Sequence, residues 1–221
     1  MLRGEILAAA KELLAERGDE EAVSVRAVAE RVGVSTPSIY LHFPDKAALI
    51  AAVCQDVFSE LDKEMEDAAA EAPSPFMALR ARGLAYARFA LENPEHYRIV
   101  MMGHPHEGQE FFSGDDLVSS ATFAHLVAAV VQCREAGVFS DAFPDAQVAL
   151  GLWAATHGVV SLNIAKPHLN IEDALALCDQ TISAAGIGLA VMSRLPAEAH
   201  LAADEASDFD VVALLDQISP R

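Results

Sequence analysis

Apolar residues recur at helical spacing along most of this chain, and the pattern predicts helices throughout. In the first segment, Ile6, Ala10, Leu13 and Leu14 share one face of a predicted helix 1 over residues 2–17. Alternating runs of β-branched residues, which would indicate strands, are few. The sequence therefore predicts an all-α fold.

Proline, glycine and asparagine separate the later helices. Helix 6 is predicted to begin at Asn93-Pro94, and Gly137 and Lys166-Pro167 end two of the others. The predicted ranges are 45–70 for helix 4, 74–92 for helix 5, 115–136 for helix 7, 145–165 for helix 8 and 171–195 for helix 9.

The stretch 24–46 has the composition of two short helices joined by a tight turn. Ser24 is a good N-cap, and Gly33 supplies the residue that can leave a helix with positive φ. Ser35 is suited to cap the second helix, and Pro37 fits its first turn. This layout is typical of a helix-turn-helix DNA reader, although a short αα-corner is also a common structural unit.

The second of these helices has one apolar face and one polar face. Ile39 and Phe43 are four residues apart and are predicted to pack inward. The polar side chains on the remaining faces are those of Thr36, Ser38, Tyr40 and His42.

This segment resembles the DNA-binding signature of the tetracycline-repressor-like (TetR) family of bacterial regulators. The similarity lies in the A-x-x-V-G-V-S run that ends at Ser35, the I-Y-x-H-F core at 39–43, and Lys46-x-x-Leu49, within a match over roughly the first 55 residues. The resemblance implies that Thr36, Pro37 and Ser38 meet base edges while other side chains meet phosphates. The implied DNA-binding residues are Ser24, Arg26, Ser35, Thr36, Pro37, Ser38, Tyr40, His42 and Lys46. For Arg26 two roles stay open, a guanine contact or a local salt bridge.

The resemblance also implies a domain organisation. An N-terminal three-helix helix-turn-helix DNA-binding domain is expected over 1–57, and a larger C-terminal helical ligand-binding and dimerisation domain over 58–196. An acidic tail is expected over 197–221. The W-x-x-x-H-G motif at 153–158, with ENPEHYRIVM at 92–101, is similar to one subgroup of the family.

Regulators of this family bind an effector in the C-terminal domain, so part of its aromatic and methionine cluster is expected to face a cavity. A histidine on an apolar helix face is also often a core residue, so both roles stay open for His157. The residues expected to line the pocket are Tyr86, Phe89, Tyr97, Met101, Phe112, Leu126, Val130, Trp153 and His157.

Helices 8 and 9 are expected to form a homodimer, because helix 9 is apolar over most of its length and ends its domain. Small residues on both helices permit close approach. The interface side predicted for helix 9 contains Leu175, Ile182, Ala185, Leu189 and Met192.

The chain of 221 residues carries a net charge of −18, which is unusual for a DNA-binding protein. Residues 1–50 contribute six basic and eight acidic side chains, so most of the acidic excess lies in the remainder. This charge should suppress non-specific DNA binding. It also keeps open a rival interpretation, a helical dimeric interaction protein that has lost operator binding.

The sequence lacks the motifs of common enzyme classes, including G-x-S-x-G, H-E-x-x-H and the P-loop, so we expect no enzymatic activity and no cofactor. The loop residues His104, His106, Glu107 and Glu110 can be read as a metal site, but a solvated loop is the expected interpretation.

The sequence also bears on where the protein acts. Cys54, Cys133 and Cys178 are odd in number and far apart, which favours free thiols in the cytoplasm. We expect neither a signal peptide nor a segment of about 18 residues apolar enough to span a membrane. The expected function is that of a transcriptional regulator, a repressor released from double-stranded operator DNA by a small hydrophobic effector.

Overall fold

The structure, a computed structural model, describes residues 2–17, 23–102, 121–169, 171 and 173–195. The described elements are helical, which confirms the predicted all-α fold class. Three helices form the N-terminal part of the chain: α1 (Leu2–Arg17), α2 (Val25–Val32) and α3 (Thr36–Tyr40).

The α2–α3 unit has the local geometry that the sequence predicts. The Ser24 hydroxyl accepts a hydrogen bond from the backbone N–H of Ala27, and Gly33 leaves α2 with φ of 78°. Ile39 and Phe43 are buried, with exposed fractions of 0% and 3%. The pattern of one apolar face therefore fixes which side of α3 points outward.

Helix α4 (Lys46–Ala70) belongs to both halves of the molecule. The Asp45 carboxylate accepts from the Ala48 N–H at 2.7 Å and so caps its first turn. α4 packs on α1 at one end and along α5 over the rest of its length. One apolar core runs from the reader helices through α4 into the larger domain, so the boundary expected at residue 57 stays a prediction.

Five helices build the described part of the larger domain. They are α5 (Pro75–Glu92), α6 (Pro94–Tyr97), α7 (Ala121–Glu135), α8 (Asp145–Ala165) and α9 (Ala174–Met192). α6 continues as a π-helical turn, Arg98–Met102, and a 3₁₀ turn, Pro167–Leu169, follows α8. α5 packs against α4, α7, α8 and α9 and is therefore the central helix of this domain.

Helices α8 and α9 are long and apolar enough, by length and composition alone, to cross a membrane. The expectation that no segment has that composition is wrong. The reason lies in the sequence: after Asp145, α8 contains no Asp, Glu, Lys or Arg up to its end at Ala165. Such helices also occur inside soluble helical proteins, so this composition is weak evidence for a membrane span.

The interface side predicted for α9 differs from the side that the structure leaves open. Ile182 is 6% exposed and packs in the core, and Leu175, Ala185 and Leu189 pack against apolar clusters of their own chain. The predicted side of α9 is therefore wrong. α9 is apolar nearly all round, so helical periodicity does not select which side faces inward.

Several expectations fall outside the described residues. These are the pocket residue Phe112, the first six residues of predicted helix 7, the loop histidines at 104 and 106, and the acidic tail over 197–221.

Candidate functional site: a helix-turn-helix surface and an apolar cavity

The outward face of α3 and its flanking turns carries the side chains expected to meet DNA. Ser24, Arg26, Ser35, Pro37 and His42 are exposed. Thr36, Ser38 and Lys46 are half-buried, and Tyr40 is 49% exposed. All nine expected residues therefore lie in or next to the α2–α3 unit, with Lys46 opening α4.

Two hydroxyls of this surface bond to each other. Ser35 occupies the N-cap position of α3, but its hydroxyl lies 2.8 Å from the Ser38 hydroxyl and makes no hydrogen bond to a backbone N–H. The expected side-chain cap is therefore replaced by a hydroxyl pair. Because a base edge offers the same donors and acceptors, DNA can take over this contact.

The basic side chains around the reader are already paired with carboxylates. Arg26 Nε donates to Glu30 Oε1 at 2.9 Å, one turn away on α2. Arg31 binds Glu16 of α1 at 2.7 Å, and Lys11 of α1 binds Asp56 of α4 at 3.2 Å. The local salt bridge that the sequence left open for Arg26 is thus formed in this structure.

Leu41 belongs to this surface, although the sequence interpretation did not include it. It directly follows α3, lies between Tyr40 and His42, and is 84% exposed. An exposed leucine beside a reader helix can contact the thymine methyl group or a sugar. The signal was present in the sequence, because Leu41 falls off the Ile39–Phe43 face.

A cavity lies between α4, α5, α7, α8 and α9, beyond the end of α4 that contacts the reader. The cavity has a volume of about 80 Å³, counted as the space open to the centre of a water-sized sphere. A single water needs roughly 10–15 Å³ by the same measure. Its lining is mostly apolar. The lining residues are Phe58, Leu61, Met65, Phe76, Leu79, Arg80, Arg82, Gly83, Tyr86, Met101, Thr122, Phe123, Leu126, Leu152, Trp153, Thr156, Ile182, Ser183 and Gly186.

Four of the expected pocket residues line this cavity: Tyr86, Met101, Leu126 and Trp153. The other described ones, Phe89, Tyr97, Val130 and His157, do not line it. Phe89 and Val130 are buried in the core, with exposed fractions of 5% and 1%.

The sequence interpretation missed the contribution of α4 to the cavity wall. Phe58, Leu61 and Met65 follow one another at helical spacing on α4 beyond the reader, and all three line the cavity. This spacing is visible in the sequence, but spacing alone does not show that these three side chains border a cavity and not a packed core.

Behind the cavity wall, Tyr86, Tyr97 and His157 form a hydrogen-bonded cluster. Tyr86 donates to the Tyr97 oxygen at 3.2 Å, and the Tyr97 hydroxyl lies 2.6 Å from His157 Nδ1. Burial raises the pKa of Tyr86 to about 12 and lowers the pKa of His157. The ring of His157 is therefore neutral at neutral pH, and its Nδ1 lies within hydrogen-bond distance of both the Tyr97 and the Tyr86 hydroxyls, the latter at 3.0 Å.

The two arginines of the cavity wall are both held by carboxylates. Arg80 Nε and Nη2 donate to the two oxygens of Asp179 at 2.7 and 2.5 Å. Arg82 binds both oxygens of Glu66 through its two terminal nitrogens, and this contact lowers the pKa of the Glu66 carboxyl. These pairs join α5 to α9 and α5 to α4.

A histidine extends the second of these pairs across the rim of the cavity. His125 Nδ1 of α7 lies 3.1 Å from both oxygens of Asp62 and 3.8 Å from Glu66. Asp62, Glu66 and His125 offer potential metal-ligand atoms within 4.8 Å of one another. Because Arg82 already occupies both Glu66 oxygens, we interpret the group as an ion-pair network.

One side of α8 and α9 is apolar and open. Leu150 and Leu162 of α8 are 45% and 51% exposed, and Leu177 and Ile187 of α9 are 37% and 56% exposed. Gly151, Gly158 and Gly188 have open space where a Cβ would stand. This open face, defined by Leu150, Leu162, Leu177 and Ile187, has the apolar composition of a helix–helix contact surface.

Comparison with known families places both parts of the chain. Residues 6–53 match the family described as "Bacterial regulatory proteins, tetR family". Residues 79–185 match the family described as "Tetracyclin repressor-like, C-terminal domain". The first match contains α2 and α3, and the second contains most of the cavity.

Individual relatives support the same assignment. The chain is 28% identical over 134 residues to the HTH-type transcriptional activator FasR of Mycolicibacterium smegmatis, a match that covers 61% of this chain and 56% of FasR. It is 35% identical over 66 residues to the HTH-type transcriptional repressor KstR of Mycobacterium tuberculosis, covering 30% of each protein. The matches thus span about half of the first relative and less than a third of the second.

Among solved structures, the fold is similar to that of a protein of unknown function from Rhodococcus sp. RHA1. The TM-score is 0.74 and the identity is 27%, with 86% of this chain and 96% of that chain covered.

Proposed function

The chain belongs to the tetracycline-repressor (TetR) family, and from that membership we propose that it is a transcriptional regulator that binds double-stranded operator DNA. The observation that carries the proposal is the α2–α3 unit, in which Gly33 turns the chain and buried Ile39 fixes the polar face of α3 outward. A helix held in this way can enter the major groove. The similarity of the chain to the family subgroup with a W-x-x-x-H-G motif remains a prediction.

Removing three side chains of the reader tests this proposal. Thr36→Ala, Tyr40→Ala and Lys46→Ala together remove a base contact and two phosphate contacts, so we expect binding to a promoter fragment to weaken by roughly a hundredfold. Lys63→Ala is the matched control, because Lys63 is an exposed lysine of α4 far from the reader. Equal affinity of the triple variant and the wild type in a mobility-shift assay would disprove operator binding.

We further propose that the protein is a repressor and that a small hydrophobic effector in the cavity releases it from DNA. The support is α4, whose first turns share one apolar core with the reader helices and whose Phe58, Leu61 and Met65 line the cavity. An occupant that favours a shifted α4 lowers the population of the DNA-binding arrangement. A coupling of about 1–3 kcal/mol is typical of such regulators.

A homodimer through α8 and α9 completes the proposal. One reader contacts too little DNA for specific recognition, whereas two readers about 34–36 Å apart meet successive major grooves. The open face of α8 and α9 supplies an apolar surface for a second copy.

The three cysteines are free and buried, in keeping with a cytoplasmic protein.

A second candidate function is favoured by the ion pairs around the reader. Lys11, Arg26 and Arg31 are each paired with glutamate or aspartate, and the net charge is −18. A helical dimeric interaction protein that has lost operator binding would have these properties. In that case neither the wild type nor the triple variant would shift the promoter fragment at low salt.

A further inference from the structure

The polar groups of the cavity wall are few, and two arginines are the only cations among the described lining residues. Thr122, Thr156 and Ser183 add hydroxyl groups, of which Thr156 donates to the carbonyl oxygen of Leu152 at 3.0 Å. Whether these two arginines are free or already paired with carboxylates therefore bears on the charge of the molecules that the cavity can bind.

One edge of the Arg80 guanidinium, and its positive charge, are already engaged by a carboxylate of the protein. Its Nε and Nη2 are both bound to Asp179 at 2.7 and 2.5 Å, in the two-pronged geometry by which an arginine recognises a carboxylate. Asp179 therefore balances the charge of Arg80 before any effector enters the cavity.

Arg82 is occupied in the same way through its other edge. Nη1 and Nη2 bind the two oxygens of Glu66, which leaves Nε as the one buried donor without a partner in the described part of the chain. The charge of Arg82 is nevertheless already balanced by Glu66, so the remaining N–H groups can serve an uncharged acceptor oxygen. Asp62 lies next to Glu66 across His125, so the surroundings of Arg82 are not short of negative charge.

An anionic effector in this cavity would meet two cations that are already neutralised and otherwise apolar walls. Burial of an ionised carboxylate without a new charge partner is strongly unfavourable. An uncharged oxygen meets no such penalty, because the hydroxyls of Thr122 and Ser183 offer it hydrogen bonds. The wall thus separates compounds by charge more sharply than by shape.

From this arrangement we propose that the effector is an uncharged, mostly hydrocarbon molecule with a hydroxyl or carbonyl oxygen, and that the cavity excludes carboxylates and phosphates. The proposal rests on the function proposed above, because it takes the cavity as the effector site. Asp179 and Glu66 act as internal anions that hold the two arginines away from an anionic head group.

Direct binding of matched probes tests the selection. Decanol, methyl nonanoate and decanoate have the same carbon number and differ in the charge of the head group. We expect calorimetry at neutral pH to show decanoate binding the wild-type protein at least about tenfold more weakly than the two uncharged probes.

Two variants are expected to let the cavity bind the carboxylate that the wild-type protein excludes. Asp179→Asn and Glu66→Gln each remove one internal anion and leave an arginine able to bind a carboxylate. Each should tighten decanoate binding by about tenfold while changing decanol binding little. Asp67→Asn is the matched control, because Asp67 lies on α4 beside Glu66 in sequence but pairs with exposed Lys63 away from the cavity wall.

Three results would overturn the inference: decanoate binding the wild type as tightly as decanol, no gain of decanoate binding in either variant, or no binding of any uncharged probe. Circular dichroism of each variant identifies a loss of folding, and the second variant then decides. Release of the promoter fragment by decanol is measured separately. If decanol binds selectively but releases no DNA, the effector function fails while the selectivity of the cavity stands.

Discussion

His157 ends a chain of hydrogen bonds that connects the cavity wall to the core. Trp153 and Tyr86 line the cavity, Tyr86 donates to Tyr97, and the Tyr97 hydroxyl lies 2.6 Å from His157 Nδ1. The three helices that carry these side chains, α5, α6 and α8, are joined at this point. Because burial disfavours the charged ring, the folded cluster favours the neutral form of the histidine.

The neutral ring makes the stability of the fold depend on pH. Burial lowers the pKa of His157 from its ordinary value of 6.5, so the unfolded chain binds the proton more readily than the folded chain. Its contribution is complete above pH 6.5 and is lost as the pH falls through the folded-state pKa. We expect His157→Gln to reduce the loss of unfolding free energy between about pH 7.5 and about pH 5.5.

Chemical denaturation at several pH values measures this dependence. His168→Gln is the matched control, because His168 is an exposed histidine in the turn after α8. Parallel pH profiles for wild type and His157→Gln would contradict the prediction.

Local signals at single residues were readable from the sequence, whereas contacts between helices were not. The cap by Ser24 and the turn at Gly33 depend on neighbours within four residues, and the structure confirms both. The bond between Tyr97 and His157 joins residues 60 positions apart. It depends on how α6 and α8 are placed, which no spacing along the chain encodes.

At the scale of the element, α2 carries a carboxylate, that of Glu30, which competes with DNA for the side chain of Arg26. Arg26 and Glu30 are one turn apart and exposed, with side-chain exposures of 83% and 65%. A guanine must displace the carboxylate before it can bind the guanidinium in the role that the family resemblance implies for Arg26. The negative charge of Glu30 also repels the phosphates directly.

Removal of that charge should strengthen operator binding. We expect Glu30→Gln to raise the affinity by about twofold to tenfold at low salt, since an exposed pair of this spacing is weak and one unfavourable charge disappears. Glu92→Gln, which makes the same change in net charge at the exposed end of α5, should have a smaller effect. Salt titrations of both variants make the comparison, and an equal response would mean that Glu30 acts only through net charge.

The helices themselves were predictable, but their facing sides were only partly so. α3 has a clear apolar side, and its orientation followed from Ile39 and Phe43. α9 carries Leu177 and Ile187 on one side and Ile182 and Leu189 on the other, so its pattern does not distinguish the packed side from the open one. The same property explains why α8 and α9 have the composition of membrane spans.

At the scale of the whole molecule, the open face of α8 and α9 predicts a dimer that a single charge disrupts. Ile187 is 56% exposed in the C-terminal half of α9. Ile187→Glu would bury an unpaired carboxylate and cost about 3 kcal/mol, which weakens association by roughly a hundredfold. Met77→Glu, a similar change at a 37% exposed residue of α5, should leave the dimer intact.

Sedimentation of the three proteins at micromolar concentration measures the association. A monomeric wild type, or a variant at position 187 that remains fully dimeric, would exclude this face as the interface. Operator affinity should fall together with dimerisation, because each operator needs two readers.

Because α4 is long and contains no flexible residue, a small tilt of this helix moves its reader end by several ångströms. Its 25 residues contain neither glycine nor proline, so it behaves as a straight lever about 37 Å long. A tilt of about 6° at the cavity end sweeps the reader end through about 4 Å, and a hydrogen bond to DNA is lost well within that distance. Under the effector release proposed above, a small tilt of α4 is therefore enough to weaken DNA recognition, and displacement of a lining side chain such as Met65 would supply it.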